Sequence, residues 1–367
     1  MRYLSRRRLM QMGIGAILLP SYTWASVYQD TGTTAANFSN GQLKGFDIGL
    51  AGRRGDDPTY FDALSKTGAN VGRVFFPFKK CMSCDQWGRS SGDIAALQRI
   101  LNWCHARDIK MVVAGDFEGS EQPSFWHNDS LRNSFVENWK WFARTFQNHP
   151  AIAGLDLMNE PNPPWPSGRV EDAHALWRPL AGQAIAGIRE SGVTLPIIYE
   201  GVGGGQAIGL RDFLPFSDRQ VVYSIHVYSP HAITHQHVGP AWTQTIPYPA
   251  GIEWKVGDVV TGVGAWDRRQ LELSLRDAIA FQQLHKVPIY VGEFSCVRWA
   301  PNGSATRYVS DCLALFKQFG WSWSYHEFRG WPGWDPEIAS ENSSNTVRSW
   351  DAPINTLLLK ELAGNKR

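Results

Sequence analysis

The chain has 367 residues, with 36 Lys and Arg against 34 Asp and Glu and a formal net charge of +2. That balance argues against nucleic acid or an anionic membrane as the partner. The length suits one large barrel or two ordinary domains.

Residues 1–25 read as an export signal of twin-arginine type. Ser5-Arg6-Arg7-Arg8-Leu9 is a basic start, and an apolar run follows from Met10 to Leu19. The run is shorter than the roughly 20 apolar residues that span a bilayer. Ala25 and Ser26 offer a cleavage point, so the mature chain is expected in the periplasm or outside the cell. Residues 26–41, rich in Thr, Gly, Asn and Ser, read as a linker to a single domain over 42–367.

From Leu43 onward strand and helix patterns alternate. The predicted strands are 43–50, 71–76, 110–117, 152–159, 195–201, 220–228, 287–294 and 321–328. Most are short apolar runs without polar alternation, as in parallel strands buried on both faces. Helical periods cover 93–107, 131–147, 171–190, 269–286, 306–319 and 352–362, and Asp57-Pro58 opens an earlier helix. A short helix near 210–216 follows the fifth strand. Gly68, Gly192 and Gly320 stand where left-handed helix caps are expected. Eight strands alternating with helices over about 320 residues predict a (β/α)8 TIM barrel in one catalytic domain. The rival doubly wound sheet lacks its Gly-rich phosphate turn, since Gly49-Leu-Ala-Gly52 is incomplete.

Five cysteines are present. Cys81 and Cys84 have C-x-x-C spacing without a second pair at zinc-ribbon spacing, so a local disulfide is expected. Cys104, Cys296 and Cys312 say nothing individually.

In a parallel barrel, chemistry sits at the carboxyl ends of the strands. Those ends carry Arg73, Asp116 with Glu118, Asn159 with Glu160, Glu200, His226 with Tyr228, Glu293, and His326 with Glu327. Buried ionisable groups are costly unless paired or used. The fourth strand stops abruptly at Asn159-Glu160-Pro161, because Pro161 cannot donate to a ladder. Two carboxylates across a narrow mouth, Glu160 and Glu293, suit glycoside hydrolysis: one protonates the leaving oxygen, the other attacks or activates water. The residues alone do not say which does which.

Asn159-Glu160-Pro161, His226-Val-Tyr228 and Gly292-Glu293-Phe294, in that order and with Arg73 on the second strand, resemble glycoside hydrolase family 5, the cellulase family of clan A. The resemblance runs from about Leu43 to the end. It implies a retaining double displacement, with Glu160 as acid/base and Glu293 as nucleophile. Asn159 would bind the sugar 2-hydroxyl, Tyr228 would hydrogen-bond Glu293, and His226 would line the acid/base side. Arg73 would orient Glu293 and lower its pKa. Two departures stand out. The family's His near the end of strand three is missing from Val-Val-Ala-Gly-Asp116-Phe-Glu118, so Asp116 or Glu118 takes over sugar contacts or the subsite differs. The family's Trp after strand eight matches either Trp323 or Trp331.

The chain has 17 Trp. Trp126, Trp165, Trp242, Trp254, Trp266, Trp299, Trp331 and Trp334 fall in predicted strand-to-helix loops, where sugar stacking is expected of at least three. Trp103, Trp139, Trp141 and Trp177 lie on helices and read as packing. His231, His235 and His237 read as part of a lid loop. Glu200 reads as a substrate contact or a buried ion pair. Gly201 to Gly205 is a turn without the Lys-Ser/Thr of a phosphate loop.

The expected activity is an endo-acting β-1,4-glucanase, with a β-mannanase as the nearest alternative. The expected partner is a polysaccharide or oligosaccharide, and the protein is expected to be a monomer without cofactor or metal. The competing classes are a metal-dependent barrel hydrolase and a non-catalytic carbohydrate-binding protein.

Overall fold

The computed structural model describes residues 34–50, 57–81, 84–256, 259–339 and 341–365. Its strands are β1 (Lys44–Leu50), β2 (Val71–Lys80), β3 (Trp87–Gly88), β4 (Lys110–Phe117), β5 (Ile152–Asp156), β6 (Ile197–Glu200), β7 (Val221–Val227), β8 (Ala250–Val256), β9 (Val259–Trp266), β10 (Ile289–Phe294) and β11 (Ser322–Tyr325). The helices are α1 (Pro58–Lys66), α2 (Ser91–His105), α3 (Asp129–Phe146), α4 (Val170–Glu190), α5 (His231–Thr234), α6 (Arg268–Ser274), α7 (Arg276–His285), α8 (Ser304–Phe319) and α9 (Pro353–Leu362).

Eight strands pair in parallel in the order β1-β2-β4-β5-β6-β7-β10-β11, and β11 returns to β1. The sheet is therefore a closed (β/α)8 barrel. Local chemistry sets the helix starts. Asp57 caps α1 ahead of Pro58, Ser90 caps α2 and Asn128 caps α3, each accepting from a first-turn N–H. Gly68, Gly192 and Gly320 all adopt positive φ just past helix ends. On α3, Phe135, Trp139, Phe142 and Phe146 form the buried stripe, packed in the layer between barrel and helices.

The barrel interior is layered. At its base Leu43, Val71, Val112, Ala153, Ile198, Val222 and Tyr290 form a separate buried cluster. Side chains alternate along a strand, so the next inward position on each is two residues on. There Arg73 follows Val71, Glu200 follows Ile198 and Ser224 follows Val222. The apolar floor thus supports a charged middle layer, and the strand ends above it form the mouth.

Several expectations need correction. The stretch 34–41 is not a loose linker: Ala35–Phe38 form a 3-10 turn, and Phe38 meets Tyr290 edge-on at 5.4 Å, closing the barrel base. The expected helix 269–286 breaks at Leu275 into α6 and α7. The helix near 210–216 is a 3-10 turn at Ala207–Leu210. The strand expected over 152–159 ends at Asp156, although the Leu157 and Asn159 N–H groups still donate singly to Ile198 and Gly115 carbonyls. An antiparallel hairpin, β8–β9, was not anticipated. Cys81 and Cys84 form the expected disulfide. The expected export signal lies outside the described residues. Among the described residues, no helix is long and apolar enough to cross a membrane.

Phe38→Ala should leave a cavity under the barrel and cost about 3–5 kcal/mol. Denaturant unfolding would measure it; a loss below about 1 kcal/mol would mean the turn is not part of the domain core.

Candidate active site

Arg73 stands on β2 at the centre of the charged layer, fully buried. Its Nε donates to Asp156 Oδ2 at 3.0 Å, Nη1 to Glu293 Oε1 at 2.8 Å, and Nη2 to Glu200 Oε1 at 2.7 Å and Asn159 Oδ1 at 3.0 Å. Asp47 Oδ2 lies 3.6 Å from Nη1. One cation thus faces four carboxylates and an amide.

Glu293 sits at the end of β10. Tyr228 donates to its Oε2 at 2.8 Å. Burial alone would raise the Glu293 carboxyl. The charges of His226, His326 and Arg73 and the Tyr228 hydrogen bond outweigh it and hold the group below the ordinary range. Glu160 follows β5 with a left-handed backbone (φ 49°). Its own N–H donates to Glu200 Oε2 at 2.9 Å, which ties down this unfavourable conformation. The Glu160 side chain is 41% exposed and its Oε1 lies 2.9 Å from His226 Nδ1. Atoms of Glu160, His226 and Glu293 all fall within 4.8 Å of one another.

The remaining groups sort by environment. Burial opposes a charge on His226, but Glu200, Glu293 and Glu160 raise its pKa well above the usual value. Glu200 is lowered against the effect of burial, chiefly by His226 and Arg73. Burial dominates at the other two: Asp47 is raised to about 7, and Asp156 well above the ordinary carboxylate value. Glu200 is therefore a buried ion pair that also anchors Glu160.

The structure brings Arg73, Asn159, Glu160, His226, Tyr228 and Glu293 into one network. Asp116 stands half-buried at the end of β4. Glu118 is exposed, and its Oε2 accepts from the Lys80 N–H at 3.0 Å, away from the central network. Trp323 is 2% exposed, faces outward from β11 and packs on Phe294, so it does not line the mouth. Trp331 is 38% exposed and joins a run of rings. Trp334 lies near Tyr228, His235 and His326, and Trp331 contacts both Trp334 and Trp299. Trp242, 37% exposed, stacks near His231. Trp126 and Trp266 are buried, and the Trp254 side chain lies outside the described residues.

Asp47, Asp156 and the position of His326 were not foreseen as parts of this network. The signal was available: Asp47 and Asp156 are lone carboxylates inside apolar strands, four residues beyond Leu43 and three beyond Ala153 of the floor. Among the described residues, the groupings with metal-ligand spacing are Asp47–Glu293–His326 and Glu160–His226–Glu293. Neither includes His231, His235 or His237. His231 and His235 instead lie ring to ring at 4.7 Å, with His235 lowered to about 4 mainly by burial.

A closed parallel barrel with this paired-carboxylate mouth and a run of Trp rings beside it belongs to the barrel hydrolases that cleave glycosides. Residues 30–330 match Cellulase, glycosyl hydrolase family 5, and the chain belongs to that family. Similar proteins include Endoglucanase C of Acetivibrio thermocellus, 23% identical over 289 residues, which are 72% of this chain and 82% of that protein. Cellodextrinase A of Ruminococcus flavefaciens is 24% identical over 270 residues, covering 70% and 73%. The fold is similar to that of endoglucanase Cel5A from Thermotoga maritima, with TM-score 0.67 and 20% identity over 90% of this chain and 99% of that one.

The pKa of His326 is raised from 6.5 to about 9: burial opposes the charge, but Glu293 and Asp47 outweigh it. A raised basic group stabilises fully below its unfolded value and ceases to as pH rises through the folded one. The unfolding temperature should therefore fall from about pH 6.5 to 9 and fall less in His326→Gln. Equal slopes in melting scans of the two proteins would remove this assignment.

Proposed function

We propose that this family 5 glycoside hydrolase is a retaining, endo-acting β-1,4-glucanase with Glu160 as acid/base and Glu293 as nucleophile. The observation that carries the reading is that one oxygen of each carboxylate lies within 4.8 Å of the other, with His226 Nδ1 near both. Retaining glycosidases hold the pair about 5–5.5 Å apart, and inverting ones about 6.5–9.5 Å, to admit a water.

Glu293 attacks the anomeric carbon while Glu160 protonates the departing glycosidic oxygen. Glu160 then takes a proton from water, which displaces Glu293 from the sugar. Tyr228 and Arg73 keep Glu293 ionised and aimed. His226 hydrogen-bonds Glu160, and Asn159, whose Oδ1 is engaged by Arg73, has Nδ2 to donate to the sugar 2-hydroxyl. Asp116 adds a hydroxyl contact on the opposite side. Trp331, Trp334, Trp299 and Trp242 stack the flanking sugars. The likeness to proteins named endoglucanase supports glucan as the substrate. Mannan is the second reading, because Thermotoga maritima Cel5A has been solved in complex with mannotriose. We read the enzyme as exported, from the Arg-rich and apolar residues 1–19, and as a monomer.

Anomeric proton signals followed by NMR in the first minutes should show product of retained configuration. The inverted anomer appearing first from wild type would overturn the role of Glu293. Hydrolysis of soluble cellulose derivative should exceed that of mannan and xylan, and the reverse order would select the mannanase.

Glu160→Gln should lose about 10²–10⁴ in rate on glucan yet keep the first step with a dinitrophenyl leaving group, which needs little protonation. Equal losses on both substrates would remove the acid/base assignment.

A further inference from the structure

The mouth holds a titratable pair, buried Asp47 and half-buried His326, that the proposed reaction leaves without a task. Asp47 lies on β1, and His326 follows β11, its neighbour in the barrel. His326 Nδ1 is 3.0 Å from Asp47 Oδ2 and 3.6 Å from Glu293 Oε2. The Phe328 N–H donates to the Asp47 carbonyl at 2.9 Å, so the chain leaving β11 is pinned to β1. Phe75 and Trp334 flank the imidazole, at 6.4 and 5.2 Å between centroids.

The charged and titratable groups facing His326 come from every neighbouring element. They are Asp47 on β1, Glu293 on β10, the adjoining Glu327, and His235 just past α5. Arg73 on β2 reaches Asp47 and Glu293 from below. Two carboxyl groups thus lie within 3.6 Å of His326 Nδ1. The two oxygens of Glu293 have separate partners: Arg73 on Oε1, and Tyr228 with His326 on Oε2.

Resting on the reading of Glu293 as nucleophile, we propose that Asp47 and His326 form a positioning couple: Asp47 fixes the imidazole, and its charged ring holds Glu293 Oε2 beside the Tyr228 hydroxyl. Neither residue exchanges a proton with the sugar. Asp47 is buried, and this contact and Arg73 offset part of its desolvation. The raised proton affinity of His326 agrees with a cationic ring at neutral pH. A misaimed carboxylate is slow even when fully ionised, because attack depends on geometry.

The test uses a fluorosugar β-cellobioside carrying a dinitrophenol leaving group. Its first step needs no proton from Glu160, and it leaves a stable glycosyl-enzyme that intact mass and peptide mapping detect. His326→Gln should label about 10- to 100-fold more slowly than wild type. On β-glucan its kcat should fall with KM nearly unchanged. The wild-type labelling rate should decline as pH rises through about 9, and His326→Gln should lack that decline. Asp47→Asn should be slowed too, and the double variant should be about as slow as His326→Gln alone. Asp47→Asn carries the same test should His326→Gln fail to fold.

Labelling within about twofold of wild type, the same alkaline decline in both proteins, or multiplying losses in the double variant would each overturn the couple alone. A wild-type enzyme labelled somewhere other than Glu293 would overturn the nucleophile reading, and the couple with it.

Discussion

The barrel's interior depends on one guanidinium. Arg73 is the cation shared by Asp47, Asp156, Glu200 and Glu293, all within 3.6 Å of it and all inside the closed parallel sheet. Four buried carboxylates around one guanidinium would be costly if all were ionised. The network resolves this by sorting protons. Asp47 and Asp156, dominated by burial, are raised, while Glu200 and Glu293, which also face His226, are lowered. A planar donor fork suits this task, since each edge meets a different acceptor at a fixed angle. Lysine at the same place would offer a point charge and could not hold Glu293 and Asp156 on opposite edges.

That charged layer is stable only because its surroundings are rigid. Beneath it Phe38 closes an apolar floor. Above it, the segment carrying Trp331 and Trp334 is held by ions as well as packing. Arg298 donates to the carbonyls of Pro332, Asn342, Ser343 and Asn345. Arg329 pairs with buried Glu337, and Arg348 with buried Asp335. These contacts act on a loop with little regular structure of its own, so the rings near the mouth keep fixed positions without a helix or strand beneath them.

The barrel was legible in the sequence because its strands are short, doubly buried and separated by strongly periodic helices. Glu160 was legible because Pro161 marks a strand end. Other features were hidden for physical reasons. Asp47 and Asp156 look like isolated acids, and only barrel closure brings β1, β2 and β5 around one arginine. The segment 34–41 has a linker's composition, yet Phe38 finds the open base of the barrel. Trp323 was a plausible platform by position, but alternation along β11 sends it outward while Ser322 and Ser324 face in. The β8–β9 hairpin carried a signal that went unread: Gly257-Asp258 between two β-branched runs.

The two carboxylates at the mouth differ in setting, and on the proposed reading the difference is what the reaction requires. Glu160 must gain and lose a proton in each cycle. Its side chain is 41% exposed, on a residue that has already left the sheet, so protons exchange with water. Glu293 must stay ionised and still. Its side chain is 7% exposed, emerges from a hydrogen-bonded strand and has a partner on each oxygen. His226 connects them, with Nδ1 2.9 Å from Glu160 Oε1 and 3.8 Å from Glu293 Oε1. Ionisation of Glu293 favours a charge on His226. When the sugar bonds to Glu293 its negative charge disappears, the imidazolium loses one stabilising neighbour, and Glu160, now deprotonated, becomes the nearest anion. The same histidine therefore has a carboxylate beside it in both halves of the proposed reaction, Glu293 before glycosylation and Glu160 after it.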